Sequence, residues 1–266
     1  TNEDFKSLLI DLSNEHLTKN TCYLITPETY FTEGNGIDID TFENSEFNRS
    51  LKEFLLPHKQ LNLIAGTQFY KIHRAKNAPT PTANKIRENF WADFYNSAIQ
   101  IAPSQKGNIY HKSKLVVGVE NMPYKSFFKP LLGEFMLDLG GTVSSRATQK
   151  NRTVFTHSTE GSKIAPIICY ESIYGEFVTE YVRNGAQFLS ILTNDAWWGN
   201  TQGHKQLLSY ARLRAIENRR AVARSANTGI SAFIDAQGRM STSLGYEEQG
   251  ALKGSVGLNS ELTFYS

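Results

Sequence analysis

Apolar residues along this chain repeat at two spacings, and the alternation between them sets out an order of elements. In "EDFKSLLIDLSNEHL", Phe5, Leu8, Leu9, Leu12 and Leu17 fall broadly on one helical face. "CYLITPE" is a short apolar run of the length of a buried strand. Residues 41–56 return to a helical stripe through Phe47, Leu51, Phe54 and Leu55, and "LNLIAGTQFY" and "FYNSAIQIAP" are two further strands. The polar stretch Arg74–Glu88 between them, with Pro79 and Pro81, is expected to be a surface excursion. Downstream, "IAPIICYES" predicts a strand and "YGEFVTEYVRNG" an amphipathic helix with Gly185 as its stop. "AQFLSILTND" predicts another strand and "HKQLLSYARLRAIENRRA" a long helix. "VARSANTGISAFID", interrupted at Asn227 and Gly229, and "ALKGSVGL" complete the set.

Strands and helices mix throughout, with no change of composition, internal repeat or low-complexity linker, so residues 1–266 are expected to form a single α/β domain. A chain of 266 residues with 40% hydrophobic content can bury a sizeable core. The net charge of +2 comes from both signs spread evenly, without a basic block, and gives no case for a nucleic-acid partner. There are two cysteines, Cys22 and Cys169, so the chain is no disulfide scaffold, and no Cys/His spacing suggests a metal. Cys22, inside "TCYLITPE", is expected to pack as a small hydrophobe. No signal peptide or membrane-length apolar run is visible. The chain starts at Thr1 and stops at "LTFYS", which suggests a piece excised from a longer membrane protein.

The chemistry gathers where strands turn polar. "CYLITPE" ends at Glu28, "YNSAIQIAP" leads through "GNIYHKSKL" to Lys112 and Lys114, and "IAPIICYES" ends at Cys169. Ligands of open α/β sheets bind beyond the carboxyl ends of strands, so these groups can converge while far apart in sequence. A thiolate can attack a carbonyl and store the acyl group as a thioester. A carboxylate can take the thiol proton, and an ammonium can stabilise the oxyanion. Taken singly, a cysteine at a strand end is more often structural than catalytic, Glu28 after a proline can simply solvate a turn, and surface lysines are common.

The ordered motifs "PETYF", "YHKSKLVVGVENMP" and "ICYESIYGE" resemble the Glu, Lys and Cys blocks of the nitrilase superfamily. Within it, the chain is similar to the catalytic, extracytoplasmic domain of the bacterial apolipoprotein N-acyltransferases. Supporting blocks are "YNSA" and "TNDAWWGNTQGHKQLLSYARLRAIENRRAVARSANTGISAFID", and the likeness runs from about Tyr23 to Asp235. The resemblance implies a nitrilase-like four-layer αββα sandwich of class α/β. It implies Glu28 as general base, Lys112 as oxyanion stabiliser and Cys169 as nucleophile. Lys112 is preferred to Lys114 because the pattern places its lysine three residues before the leucine of "LVV". Glu120 matches a second glutamate near the site, Tyr170 would offer a backbone N–H to the oxyanion, and Glu171 would hold the turn. Val117-Gly118-Val119 stands where the family more usually has Pro-Phe-Gly.

The function implied is transfer of a fatty acyl chain from a phospholipid, through a cysteine thioester, to the α-amino group of the diacylglyceryl-cysteine of an apolipoprotein. It implies no cofactor and no metal, and a place on the periplasmic face of the bacterial inner membrane. Two alternatives stand beside it: a soluble amidase hydrolysing a small carbon–nitrogen substrate, and a non-catalytic binding module. Against the amidase stands the apolar segment "KSFFKPLLGEFMLDLGG", in which Phe127, Phe128 and Phe135 suit either a core element or a lipid-touching lid. Trp197 and Trp198 are read as core packing, with the wall of an acyl pocket as the functional alternative. Arg212, Arg214, Arg219 and Arg220 are expected to form a solvated face or salt bridges.

Overall fold

The alternating residues of the run after Leu61 bury themselves on two faces at once, and this sets the layering. In the computed structural model, which describes residues 1–32, 34–116, 120 and 145–266, strand β3 (Asn62–Arg74) lies between β1 (Tyr23–Ile25) and β5 (Phe90–Ile101). Strand β2 (Ile37–Asp38) also pairs with β3, while β4 (Asn84–Arg87) and β6 (Asn108–His111) pair with β5. Leu63, Ala65 and Phe69 of β3, with Ile99 and Ile101 of β5, pack beneath Leu9 of helix α1 (Asn2–Asn14) and Leu51 and Leu55 of α2 (Glu46–Leu55). Ile64 and Ala98 point the other way, into a core shared with the second sheet.

That second sheet runs β12 (Met240–Leu244), β11 (Ser231–Ile234), β10 (Val222–Ala226), β9 (Phe188–Thr193), β8 (Lys163–Ile168), β7 (Phe155–Thr156). Its centre, β8–β9–β10, is parallel. Parallel neighbours need crossovers, supplied by α3 (Gly175–Arg183) and α4 (Gln202–Asn218). Val178, Tyr181 and Val182 of α3 and Leu208, Ala211 and Ala215 of α4 cover the sheet's outer face. The order of layers is α, β, β, α, as the nitrilase resemblance implies.

The interior between the sheets also carries polar pins. Gln100 donates to Asn62 Oδ1 and to the Thr156 carbonyl, each at 2.8 Å, and accepts from Asn108 Nδ2 at 2.8 Å. Buried amides must be paired in this way or they cost free energy. Here the pairing fixes how one sheet faces the other. Asn96, four residues earlier on β5, lies on the same face as Gln100 and reaches the site described below.

Several expectations need correction. The excursion 74–88 contains a strand, β4, recruited by β5 despite its polar sequence. Residues 41–56 break into a 3-10 turn (Phe42–Asn44) and α2, because the Ser45 side chain caps α2 by accepting from Asn48 N at 3.1 Å. "ALKGSVGL" has no regular structure, and the last strand is Met240–Leu244, whose mostly exposed residues leave no apolar period to read. Cys22 is half-buried rather than core, with Sγ 3.3 Å from Glu160 Oε1. Arg220 is buried rather than solvated, while Arg214, also buried, makes one of the expected salt bridges. Arg220 donates to the carbonyls of Ala186 and Glu261 at 2.8 Å, and Arg214 pairs with Glu217 at 2.9 Å and donates to the Ile173 carbonyl at 3.1 Å. No helix among the described residues is long and apolar enough to cross a membrane.

Candidate active site

Glu28, Lys112 and Cys169 come together from three strand ends, across both sheets. Glu28 follows β1 on a turn where Thr29 takes a φ of 50°. Gly66 of β3 passes directly beneath: a Cβ there would lie 2.6 Å from Glu28 Cα and 2.6 Å from Thr29 N, so only glycine allows the approach. Lys112 follows β6, its backbone N–H donating to the Asn96 carbonyl at 2.8 Å.

Cys169 opens a 3-10 turn (Cys169–Ile173) directly after β8, with φ 49°. A non-glycine residue in the left-handed region costs about 1–2 kcal/mol and persists only where its surroundings impose it. Glu171 is what imposes it. One carboxylate oxygen accepts from Ile168 N at 2.9 Å, and the other from Ser113 N at 2.6 Å and Tyr110 Oη at 2.7 Å. The cysteine turn and the lysine loop are thus tied to one buried carboxylate. Burial pushes that carboxyl up to about 7, against the pull of its donors.

The charged centre is a bridge. Lys112 Nζ donates to Glu28 Oε1 at 2.8 Å and to Glu120 Oε2 at 2.7 Å, all three side chains being nearly sealed from solvent. Asn96 Nδ2 spans the same two carboxylates, 2.8 Å from Glu28 Oε1 and 2.8 Å from Glu120 Oε1. Glu28 Oε2 accepts from Asn194 N at 2.8 Å, and Glu120 Oε2 from Val116 N at 3.0 Å. Burial alone would make the Lys112 ammonium easier to deprotonate, but Glu28 and Glu120 hold its pKa above the ordinary value. Burial works against the Glu120 carboxylate, and Lys112, Asn96 and the Val116 N–H together outweigh it, leaving the pKa below its usual value. The Cys169 thiol is pushed up to about 12 by burial, with Glu28 adding to the rise and Lys112 opposing it. The resting cysteine is therefore a neutral thiol beside a carboxylate and an ammonium, and a thiol held in this state becomes a nucleophile only once its proton is removed.

Lys114 lies elsewhere, with Nζ 5.3 Å from the centre of the Tyr174 ring. Tyr170 follows the cysteine in its turn, its ring 5.5 Å from that of Tyr174. Trp197 and Trp198 form a 3-10 turn beyond β9 and are exposed, 47% and 43%, so core packing is not their role. Phe127, Phe128 and Phe135 lie outside the described residues. Asn96 was not named as a site group by sequence reasoning, whereas Asn194 and Asp195, at the end of the "AQFLSILTND" strand, read as facing the site with no role assigned, and the Asn194 N–H does reach Glu28. An asparagine inside the otherwise apolar "FYNSAIQI" is the one signal that was available. A basic neighbour, Arg146, pairs its backbone with Phe94 of β5 and feels the charge of Glu120 and Glu28.

Away from this centre, Cys22, His157 and Glu160 have donor atoms within 4.8 Å of one another. His157 is already committed: Nδ1 accepts from Glu160 N at 3.1 Å and Nε2 lies 3.1 Å from the Cys22 carbonyl. With Nδ1 accepting and Nε2 donating, no ring lone pair is left for a metal.

Comparison with known proteins agrees with this architecture. An amidase of the nitrilase superfamily from Nesterenkonia AN1 superposes with a TM-score of 0.59 at 15% identity, over 94% of this chain and 83% of that one. Apolipoprotein N-acyltransferases are similar in sequence. The one from Chlorobaculum tepidum is 42% identical over 177 residues, 65% of this chain and 33% of its own. The one from Rhizobium rhizogenes is 36% identical over 160 residues, 59% of this chain and 29% of its own. The chain thus spans about a third of the length of these relatives. The carbon-nitrogen hydrolase family matches residues 11–260. The chain belongs to the carbon-nitrogen hydrolase family.

Proposed function

We propose that this chain carries the catalytic chemistry of an apolipoprotein N-acyltransferase, moving a fatty acyl chain from a phospholipid to the α-amino group of a diacylglyceryl-cysteine. The observation that carries the reading is the Lys112 bridge between Glu28 and Glu120 beside a strained, buried cysteine. The similarity to relatives bearing that name supports the choice of acyl acceptor and donor.

Glu28 takes the thiol proton of Cys169, and the sulfur attacks the ester carbonyl of the phospholipid. The oxyanion that forms is met by the Lys112 ammonium and the Tyr170 N–H. Collapse breaks the ester C–O bond, and the lysophospholipid leaves with the proton from Glu28. The α-amino nitrogen of the acceptor then attacks the thioester and gives its proton to Glu28. The C–S bond breaks, the thiolate recovers that proton, and an amide is left on the lipoprotein. Glu120 and Asn96 keep Lys112 and Glu28 in place through both half-reactions. The exposed Trp197 and Trp198 supply an apolar rim for the acyl chains, and Phe127, Phe128 and Phe135 are assigned to the same task. The scheme uses no cofactor and no metal, and its substrates place the activity at the periplasmic face of the bacterial inner membrane.

The test is intact-protein mass spectrometry after incubation with phospholipid micelles. An acyl-sized adduct, labile to hydroxylamine and lost in Cys169→Ala, is expected. Absence of that adduct together with steady hydrolysis of a small soluble amide would overturn the proposal in favour of an amidase.

A further inference from the structure

The hairpin formed by the end of β3, β4 and the start of β5 gathers charges that the sequence spreads out. Residues 71–91 contribute Lys71, Arg74, Lys76, Lys85 and Arg87 against a single acid, Glu88. Lys71 pairs with Asp40 at 3.6 Å. The other four cations are exposed, and none has an ion pair among the described residues. Arg74, Phe90 and Arg87 stand in one row across the three strands, the two arginines registered on either side of Phe90. Their guanidinium carbons lie 5.5 and 4.1 Å from the centre of the Phe90 ring. A guanidinium stacked in this way keeps its edge N–H groups for an oxyanion such as phosphate. On the same tip two large aliphatic side chains face solvent, Ile72 at 40% and Ile86 at 56% exposure.

The tip is held in shape. The buried Asp93 carboxylate accepts from Thr80 Oγ1 at 2.9 Å and Thr82 Oγ1 at 2.8 Å, with His73 Nε2 at 3.0 Å. Trp91 Nε1 donates to the Ala75 carbonyl at 3.0 Å. Strand periodicity places the tip relative to the site. Phe90, Ala92, Phe94 and Asn96 alternate onto one face of β5, so the arginine row lies on the face that carries Asn96, about 20 Å farther along the strand. Trp197 and Trp198 stand at the same end of the molecule, beyond β9, since Asn194 between them and that strand reaches Glu28.

We infer that this hairpin tip is a landing surface for anionic phospholipid, its four unpaired cations meeting headgroup phosphates and Ile72 and Ile86 entering the layer beneath them. Charge draws such a segment to an anionic surface and apolar area holds it there. The purpose of the contact rests on the acyl-transfer reading: it holds an ester-bearing surface on the side of the molecule where Glu28 and Cys169 open. Cations on an edge strand also discourage edge-to-edge pairing, and Lys85 and Arg87 lie on β4, an edge strand. That role accounts for neither Arg74, on β3, nor the exposed isoleucines.

The test is co-sedimentation with vesicles of phosphatidylcholine alone or with one part in three of phosphatidylglycerol, across a range of salt. The chain is expected to bind the anionic vesicles, less well as salt rises. Arg74→Gln/Arg87→Gln should bind about five-fold more weakly for each cation removed. Ile86→Ser should weaken binding at every salt concentration. Lys19 and Lys59 are exposed before β1 and β3, at the opposite end of these parallel strands, so Lys19→Gln/Lys59→Gln removes the same charge and should bind like the parent. Parental binding by Arg74→Gln/Arg87→Gln overturns the inference, as does indifference to phosphatidylglycerol. An equal loss in the lysine control also overturns it, by reporting net charge alone. Vesicle binding needs no thioester, so Cys169→Ala should bind like the parent, and failure of the acyl-transfer reading and failure of this one are read separately.

Discussion

The Asn194 backbone N–H donates to Glu28 Oε2 at 2.8 Å, joining two residues 166 positions apart and tying the end of the second sheet to the carboxylate of the first. Among the described residues, the other hydrogen-bond partners of Glu28 are also donors: Lys112 Nζ and Asn96 Nδ2 share Oε1. A glutamine keeps the shape but sets its NH2 against one of these donors. Glu28→Gln is therefore expected to lose about 1–3 kcal/mol of stability. It should also lose acyl transfer by about 10²–10⁴-fold, the usual worth of a general base. Chemical denaturation and single-turnover acylation read the two effects. A variant that acylates at the parental rate would remove Glu28 from its role.

Lys112 is the cation that lets two carboxylates coexist in a sealed space. In Lys112→Met that charge is gone, and Glu28 and Glu120 face each other across Asn96 with their mutual repulsion uncompensated. One of them must take up a proton, as paired carboxylates do. Breaking a buried pair costs about 3–5 kcal/mol. Acylation should collapse, and the stability lost should be partly recovered at acid pH, where protonation removes the repulsion. If the difference in melting temperature between parent and Lys112→Met is the same at acid and neutral pH, the bridge is not carrying that charge balance.

Glu171 gives a pH signature of opposite sign to the usual carboxylate. Its folded pKa is raised from the ordinary 4.5 to about 7 by burial. Between those values the folded chain holds a proton that the unfolded chain releases. Stability from this group is complete below about 4.5 and falls as pH rises toward about 7, by at most ~1.4 kcal/mol per pH unit. Glu171→Gln, which cannot titrate, should flatten that slope in a denaturation series. It should also weaken the tie between the Ser113 loop and the cysteine turn, lowering acylation even where the protein stays folded. A slope that persists unchanged in Glu171→Gln would show that the carboxyl titrates normally.

The sequence made parts of this structure readable because their determinants are local. The apolar runs of β8 and β9, the stripe of α3 with its Gly185 stop (φ 95°), and the motifs holding Glu28, Lys112 and Cys169 all lie within short windows. What was missed depends on contacts between distant segments. Strand β4 exists because β5 offers it a paired edge, and β12 because β11 does, so neither needs an apolar period of its own. Arg220 reads as a surface charge until the Ala186 and Glu261 carbonyls are seen to converge on it. Trp197 and Trp198 read as core by composition, yet they sit on a short turn beyond the sheet. Asn96 owes its importance to carboxylates 68 and 24 positions away.

Gly66 turns that distant packing into a test of the site that touches no reacting group. Its missing side chain lets β3 run under the Glu28 turn, with Glu28 Cα and Thr29 N only 2.6 Å from where a Cβ would lie. The obstructing atoms are backbone, so Gly66→Ala must push the whole turn rather than rotate a side chain. Overpacking of this kind costs about 1–3 kcal/mol. The displacement is aimed at the carboxylate that Lys112, Asn96 and Asn194 hold. Gly257 has open space around its Cβ position and no left-handed φ, so Gly257→Ala is a matched control that should be neutral. Acylation should fall in Gly66→Ala by more than its loss of folded protein explains, with iodoacetamide alkylation of Cys169 largely kept. Equal losses in stability and acylation, with nothing further at the site, would mean that Gly66 serves the sheet and not the placement of Glu28.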